Sequence, residues 1–326
     1  MGCLMDTRRE IRSIMKSGGS LVVSLPRDWV ENQKLKQGDV LEVEITREAL
    51  IMRTSSKSRV KKSVHLKYRG DVTSLVNNII GGYLLGYDMM IVEMPREIIG
   101  VFEQKFSNIK NKLMGLEIVE EHDDRLVLKM LMDPLELHPV DVIKRMWQIS
   151  RESIEASLTA ILEEDVELAE RVIQKDEEVD KLYFYGVRLL RSCAEEPILQ
   201  TKLNLTNINL LDYRVSVYLL ENINDRASEI ASMVEKGLLR MLDKLFVERL
   251  SKAKNLLVEN HDDVYRIFFN QEFSLLSNVI KRLEKIKLEM LLGKLTFREL
   301  KIYEQISSMA RMQYDLAELS WIPISS

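Results

Sequence analysis

From Pro139 onward the chain keeps a pattern that few folds accommodate. Val142, Met146, Ile149, Ser153, Ala156 and Ala160 recur at alternating steps of four and three, which lines them along one stripe of an α-helix. A second stripe runs through Ser216, Leu220, Ile223, Ala227, Ile230 and Val234, on a helix expected from about Thr206 to Lys236. Between them lies LAERVIQKDEEVDKLYFYGVRL (168–189), with Leu168, Val172, Val179, Leu182 and Leu189 on a third stripe. Breaks are expected at Glu163-Glu164-Asp165 and at Ala194–Pro197. Helices with a single apolar face bury it against one another, so the spacing predicts a bundle. Composition agrees: aromatics are only 6% of 326 residues, while 46% are hydrophobic, as helix-on-helix packing favours.

The middle stretch also carries chemistry. Asp176 and Asp180 stand four residues apart, and Glu221 and Asp225 repeat that spacing in LLENINDRASEIA. Residues four apart share a helix face. Two such helices side by side offer one cation four or more oxygen ligands. A solvated helix face has the same pattern. On a helical wheel Glu221 and Asp225 fall roughly 140–180° from the apolar stripe of their helix, so they are expected to point out of the bundle.

Other classes find little support. There is no GxxxxGK[ST], no GxGxxG and no HExxH, and no histidine follows a glutamate by three residues. Zincins and ferritin-like di-iron enzymes are therefore not indicated. Cys3 and Cys193 are far apart, with no CxxC, so neither a zinc knuckle nor a redox pair is expected. No run of 18 apolar residues exists, so no transmembrane helix is expected. The start lacks the apolar core of a secretory signal, and a cytoplasmic protein is expected.

Charge is unevenly spread. The first 62 residues hold 13 Lys and Arg against 8 Asp and Glu, an excess of five positive charges on a chain of net charge −4. A basic segment on an acidic chain suggests a polyanion partner at that end. Here Leu21–Leu25 reads as a strand stopped by Pro26, Arg27–Gln33 as two helical turns, and Lys36-Gln37-Gly38-Asp39 as a turn. Leu41, Val43 and Ile45 alternate with glutamates, a half-buried strand. Glu48–Arg53 closes the unit. Residues 55–62 (SSKSRVKK) read as a linker. A small βαβαββ unit follows: strand Ser63–Tyr68, helix Asp71–Leu85, strand Met89–Met94, a helix opened by Pro95, then a hairpin of Leu116–Glu120 and Arg125–Met130. Its helical crossovers predict a partly parallel sheet. Gly81, Gly82 and Gly86 suggest close helix–sheet packing.

IMKSGGSLVVSLPRDWVENQKLKQGDVLEVEI resembles the SpoVT/AbrB swapped-hairpin domain, in the branch of the MazE-type antitoxins. The family implies an intertwined homodimer that binds DNA through basic residues of its first hairpin. Arg12 and Lys16 match in position, and Arg8 and Arg9 are expected as arm contacts. Where the antitoxins carry an arginine before the final Ile-Pro, this chain has Ser24, which predicts weaker sequence-specific readout. ILEEDVELAERVIQKDEEVDKLY together with LLENINDRASEIA resembles the PhoU family of phosphate-uptake regulators, which has tandem three-helix bundles. The resemblance implies iron or zinc at the acidic motifs, here Asp176, Asp180, Glu221 and Asp225. It also implies contact with a phosphate transporter's ATPase and a sensor kinase. In the last third Asn270, Ser274, Arg311 and Asp315 are expected at the corresponding places, so that bundle is expected to have lost the metal.

The expected architecture is therefore multidomain: a swapped-hairpin β domain (1–54), a linker (55–62), a small α/β domain (63–133), a first PhoU-like three-helix bundle (138–240) and a second, degenerate one (241–326). The expected role is a non-enzymatic regulator of phosphate uptake acting on DNA. The alternative is a dimeric adaptor acting only on proteins. A metal-dependent hydrolase is disfavoured, since no histidine stands near the acidic motifs in sequence and Lys175 and Lys181 read as solvated charges.

Overall fold

The computed structural model describes residues 9–45, 50–54, 61–238 and 242–320. The chain divides into two compact units, Met1–Val60 and Lys61–Ser326.

The first unit has two short hairpins around one helix. β1 (Met15–Ser17) pairs antiparallel with β2 (Ser20–Val22) across Gly18-Gly19, and Gly18 takes φ +60°. The helix α1 (Arg27–Gln33) follows Pro26 and ends at Lys34 in the left-handed region. β3 (Leu41–Ile45) pairs with β4 (Leu50–Thr54). The strand expected over Leu21–Leu25 is shorter and begins earlier, because β1 offers only three ladder partners. None of α1 is buried, and Leu21, Val40, Ile45 and Leu50 are between 62% and 78% exposed. A unit this small leaves its apolar side chains uncovered. The expected linker falls mostly on residues outside those described.

The second unit opens with β5 (Ser63–Lys67), α2 (Val72–Leu84), β6 (Met89–Glu93), α3 (Arg96–Lys110), β7 (Leu116–Glu121) and β8 (Arg125–Met130). The sheet order is β5-β6-β8-β7; β5 and β6 are parallel and the other pairs antiparallel, the mixed sheet expected from the crossovers. Asp71 caps α2 by accepting from the amides of Thr73 and Ser74. Leu75, Ile79 and Tyr83 of α2 and stacked Phe102 and Phe106 of α3 cover Met90, Val92, Leu126 and Leu128. Gly82 lets α2 approach the sheet: a Cβ there would meet the Met90 sulfur at 2.8 Å.

The helical part follows with α4 (Pro139–Glu163), α5 (Val166–Glu195), α6 (Pro197–Lys202), α7 (Asn207–Glu235), α8 (Lys244–Asn270), α9 (Leu276–Leu291) and α10 (Phe297–Glu318). Local signals set the boundaries. His138 caps α4, accepting from the Val140 amide while its other ring nitrogen lies 2.9 Å from the Leu203 carbonyl. Asp165 caps α5, and Thr206 and Asn209 form a capping box on α7. The predicted stripes of α4 and α7 are buried, with only Ala156 partly so. α4, α5 and α7 form one three-helix bundle, and α8, α9 and α10 pack as a second. The bundles are keyed together by Trp147 and His261: the indole N–H donates to the His261 carbonyl at 3.3 Å, and His261 Nε2 lies 3.1 Å from the Trp147 carbonyl. No helix among the described residues is long and apolar enough to cross a membrane.

The sequence predicts Asn270 and Ser274 on one helix face, matching Asp176 and Asp180. Instead α8 ends at Asn270, Gln271 turns left-handed at φ +60°, and Ser274 lies in a 3-10 turn. The left-handed residue is not glycine, so the sequence carries no visible stop.

Candidate functional site

α5 and α7 pack along their length, which brings the two acidic pairs into electrostatic reach of each other. Asp176 accepts from Asn224 Nδ2 at 2.6 Å and from Ser228. Asn224 is fully buried, and its Oδ1 has no hydrogen-bond partner. Asn222 donates to Glu221 at 2.9 Å. Glu221 and Asp225 do not point out into solvent as the helical wheel predicts; both are half-buried.

The charge balance shows in the carboxyl groups. Burial, then the charges of Asp225, Asp180 and Asp176, push Glu221 up to about 7. Burial, then Asp176 and Asp180, push Asp225 up to about 6. Burial and then Asp180 raise Asp176 too, against the opposing hydrogen bond from Asn224. Such shifts mean that the folded state holds carboxylates nearer than water would allow.

A residue outside every sequence motif answers this crowding. Lys112, in the turn after α3, forms an ion pair with Asp180. Its ammonium also feels the charges of Asp176 and Asp225; burial opposes its charge, but the Asp180 hydrogen bond and these carboxylates hold its pKa above the usual lysine range. Lys112 belongs to the α/β segment that precedes both acidic pairs in the chain, so only the tertiary fold identifies it. Among the described residues, no three His, Cys, Asp or Glu side chains come close enough together to hold one metal ion.

The second bundle answers its acids differently. Arg311 pairs with Asp315 at 2.9 Å, one turn along α10, and Arg282 of α9 pairs with Asp263 and Glu259 of α8.

At the other end of the chain, Arg9, Arg12 and Lys16 are exposed. Arg12 is ion-paired with Glu10, and Lys16 lies in β1 opposite Leu21. Arg8 lies outside the described residues.

Comparison with known families fits this layout. Residues 143–234, from α4 to the end of α7, match the model of the PhoU domain. Residues 14–60 match the model described as antidote–toxin recognition MazE, bacterial antitoxin. No curated protein and no solved structure is significantly similar. The chain thus joins a MazE/AbrB-like domain to a PhoU domain, with a mixed α/β unit between them.

Proposed function

We propose that this protein regulates phosphate uptake by binding DNA through its N-terminal unit, under the control of its PhoU domain. One observation carries the reading: an antitoxin-type domain and a PhoU domain occur on a single chain. Both families are regulatory rather than catalytic. The N-terminal unit acts as a homodimer, because its uncovered apolar side chains need a second copy to bury them. Arg8, Arg9, Arg12 and Lys16 contact the DNA. The phosphate transporter's ATPase is the protein partner that the PhoU domain suggests.

The acidic cluster is proposed to hold iron or zinc through Asp176, Asp180, Glu221 and Asp225. The donor set fits such an ion in chemistry and charge: it is all oxygen, it is strongly anionic, and the partnerless Asn224 Oδ1 lies on the residue that binds Asp176. Among the described residues three carboxylates do not converge on one point, so a bound ion would need these side chains to rearrange. A bound ion supplies positive charge where α5 and α7 face each other.

Salt-dependent DNA binding tests the central reading. Phosphate contacts give a steep fall of affinity with salt, and removing one such contact lowers the slope by about one unit. The variant with Arg8, Arg9, Arg12 and Lys16 all changed to Ala is expected to bind genomic fragments more weakly and with a shallower slope. Unchanged affinity and slope would favour the second reading, a dimeric adaptor acting only on proteins. That reading draws on the Arg12–Glu10 pair, which already occupies one of the four cations.

A further inference from the structure

We propose that the tip of the second bundle, where α9 turns into α10, docks this protein onto a lipid bilayer that carries anionic headgroups. The inference stands apart from the acidic cluster and from DNA binding.

The turn presents apolar side chains where a bundle normally hides them. Along α9, Val279, Leu283, Ile286 and Met290 are buried, yet Leu288, Leu291 and Leu292 are 70%, 52% and 54% exposed. Phe297 and Leu300, in the first turn of α10, are 74% and 40% exposed. Only four residues separate Leu292 from Phe297, so these side chains gather at one end of the bundle. A single exposed leucine is ordinary, but five large apolar residues together mark a contact surface.

The tip is held firmly. Gly293 takes φ +88°, a conformation open to glycine at no steric cost. Arg249 of α8 donates to the Leu292 carbonyl. Half-buried Leu295 anchors the turn in the core. Thr296 and Glu299 form a capping box on α10, and the buried Glu299 carboxylate also accepts from the Asp243 amide at 3.2 Å. Little conformational freedom is therefore lost when the tip meets a surface.

Charge selects the occupant. Residues 276–301 hold seven Lys and Arg against three Glu, an excess of four positive charges on a chain of net charge −4. Arg282 and Lys301 have carboxylate partners, whereas among the described residues Lys281, Lys285, Lys287 and Lys294 have none. Lys281, Lys285 and Leu288 follow one another at steps of four and three on the outer face of α9. A lysine stem lies along apolar surface while its ammonium reaches a phosphate. Protein interfaces have the reverse composition, with lysine depleted and aromatic residues and arginine enriched. Leucines bordered by unpaired lysines suit the boundary between acyl chains and anionic headgroups.

The test uses the full chain and sedimentation with vesicles of phosphatidylcholine, alone or mixed in equal parts with phosphatidylglycerol. Wild type is expected to bind the mixed vesicles on the order of a hundredfold more tightly, since each cation near an anionic surface contributes about fivefold. Leu288→Ser with Leu292→Ser and Phe297→Ser is expected to weaken that binding about tenfold. Changing Lys281, Lys285, Lys287 and Lys294 to Gln is expected to abolish the preference for mixed vesicles. None of these seven side chains is buried, so both variants are expected to keep their helical circular dichroism. Mixed vesicles are also expected to slow amide exchange over 288–300 in wild type. Wild type that ignores both kinds of vesicle would overturn the proposal and leave the tip to a protein partner. Binding that both variants retain in full would overturn it as well, and would move lipid contact to another surface such as the basic first unit.

Discussion

Single side chains decide how this molecule handles buried charge, and His261 gives the sharpest case. It is fully buried on α8, with Nε2 directed at the Trp147 carbonyl of α4 and Gln313 of α10 near Nδ1. Burial, only partly offset by the Trp147 hydrogen bond, pushes its pKa down to about 4. An unfolded histidine takes up its proton near pH ~6.5. Between these values the unfolded chain holds more protons, so this residue's contribution is intact above pH ~6.5 and is lost as pH falls towards 4. The loss amounts to about 3 kcal/mol. The raised acids on α5 and α7 act in the opposite sense, since the folded state keeps their protons longer. A difference measurement separates the two: denaturant unfolding of wild type and His261→Gln from about pH 7 to about pH 4. Wild type is expected to lose stability relative to the variant over that range; parallel curves would mean that His261 is not held neutral by the fold.

Whole helices carry the contrast between the two bundles. α5 and α7 gather four acids, whereas α10 neutralises Asp315 with its own Arg311. Metal content after growth in metal-replete medium, read by mass spectrometry, is therefore expected to fall in Asp176→Asn with Asp225→Asn and to stay unchanged in Asp315→Asn. Equal loss in both would remove the asymmetry. Most helix limits are legible in the sequence because their signals are local: His138-Pro139, Asp165, Pro197 and Thr206 each act on their own turn. The strand after Gly19 is not, because its length depends on what pairs with it. The end of α8 escapes notice because Gln271 adopts a left-handed turn without being glycine. The acidic site is half legible. Its carboxylates announce themselves through i,i+4 spacing, but burial of Glu221 and Asp225 and the arrival of Lys112 follow from packing between segments distant in sequence.

At the scale of the whole molecule the two units differ in self-sufficiency. Lys61–Ser326 buries two apolar cores, whereas the first unit leaves Leu21, Val40, Ile45 and Leu50 in solvent. Dimerisation is thus expected to reside in the first unit. Light scattering on a chain beginning at Lys61 is expected to give a monomer where the full chain gives a dimer. If the shortened chain keeps the full-length state, the main contact between copies lies in the second unit.

Arg188 carries a consequence for how the second unit is partitioned. It is 4% exposed and spends its donors on backbone carbonyls of the α2–β6 turn and on Asp88, which itself accepts from the Lys62 amide. Replacing Arg188 by an apolar residue while this junction stays closed would leave the Tyr83 and Tyr87 carbonyls and Asp88 buried without their donor. By sequence alone the α/β segment and the PhoU domain look like separable modules. In packing they share one junction, and a foreign neighbour that buried the same turn would have to supply a replacement for that arginine.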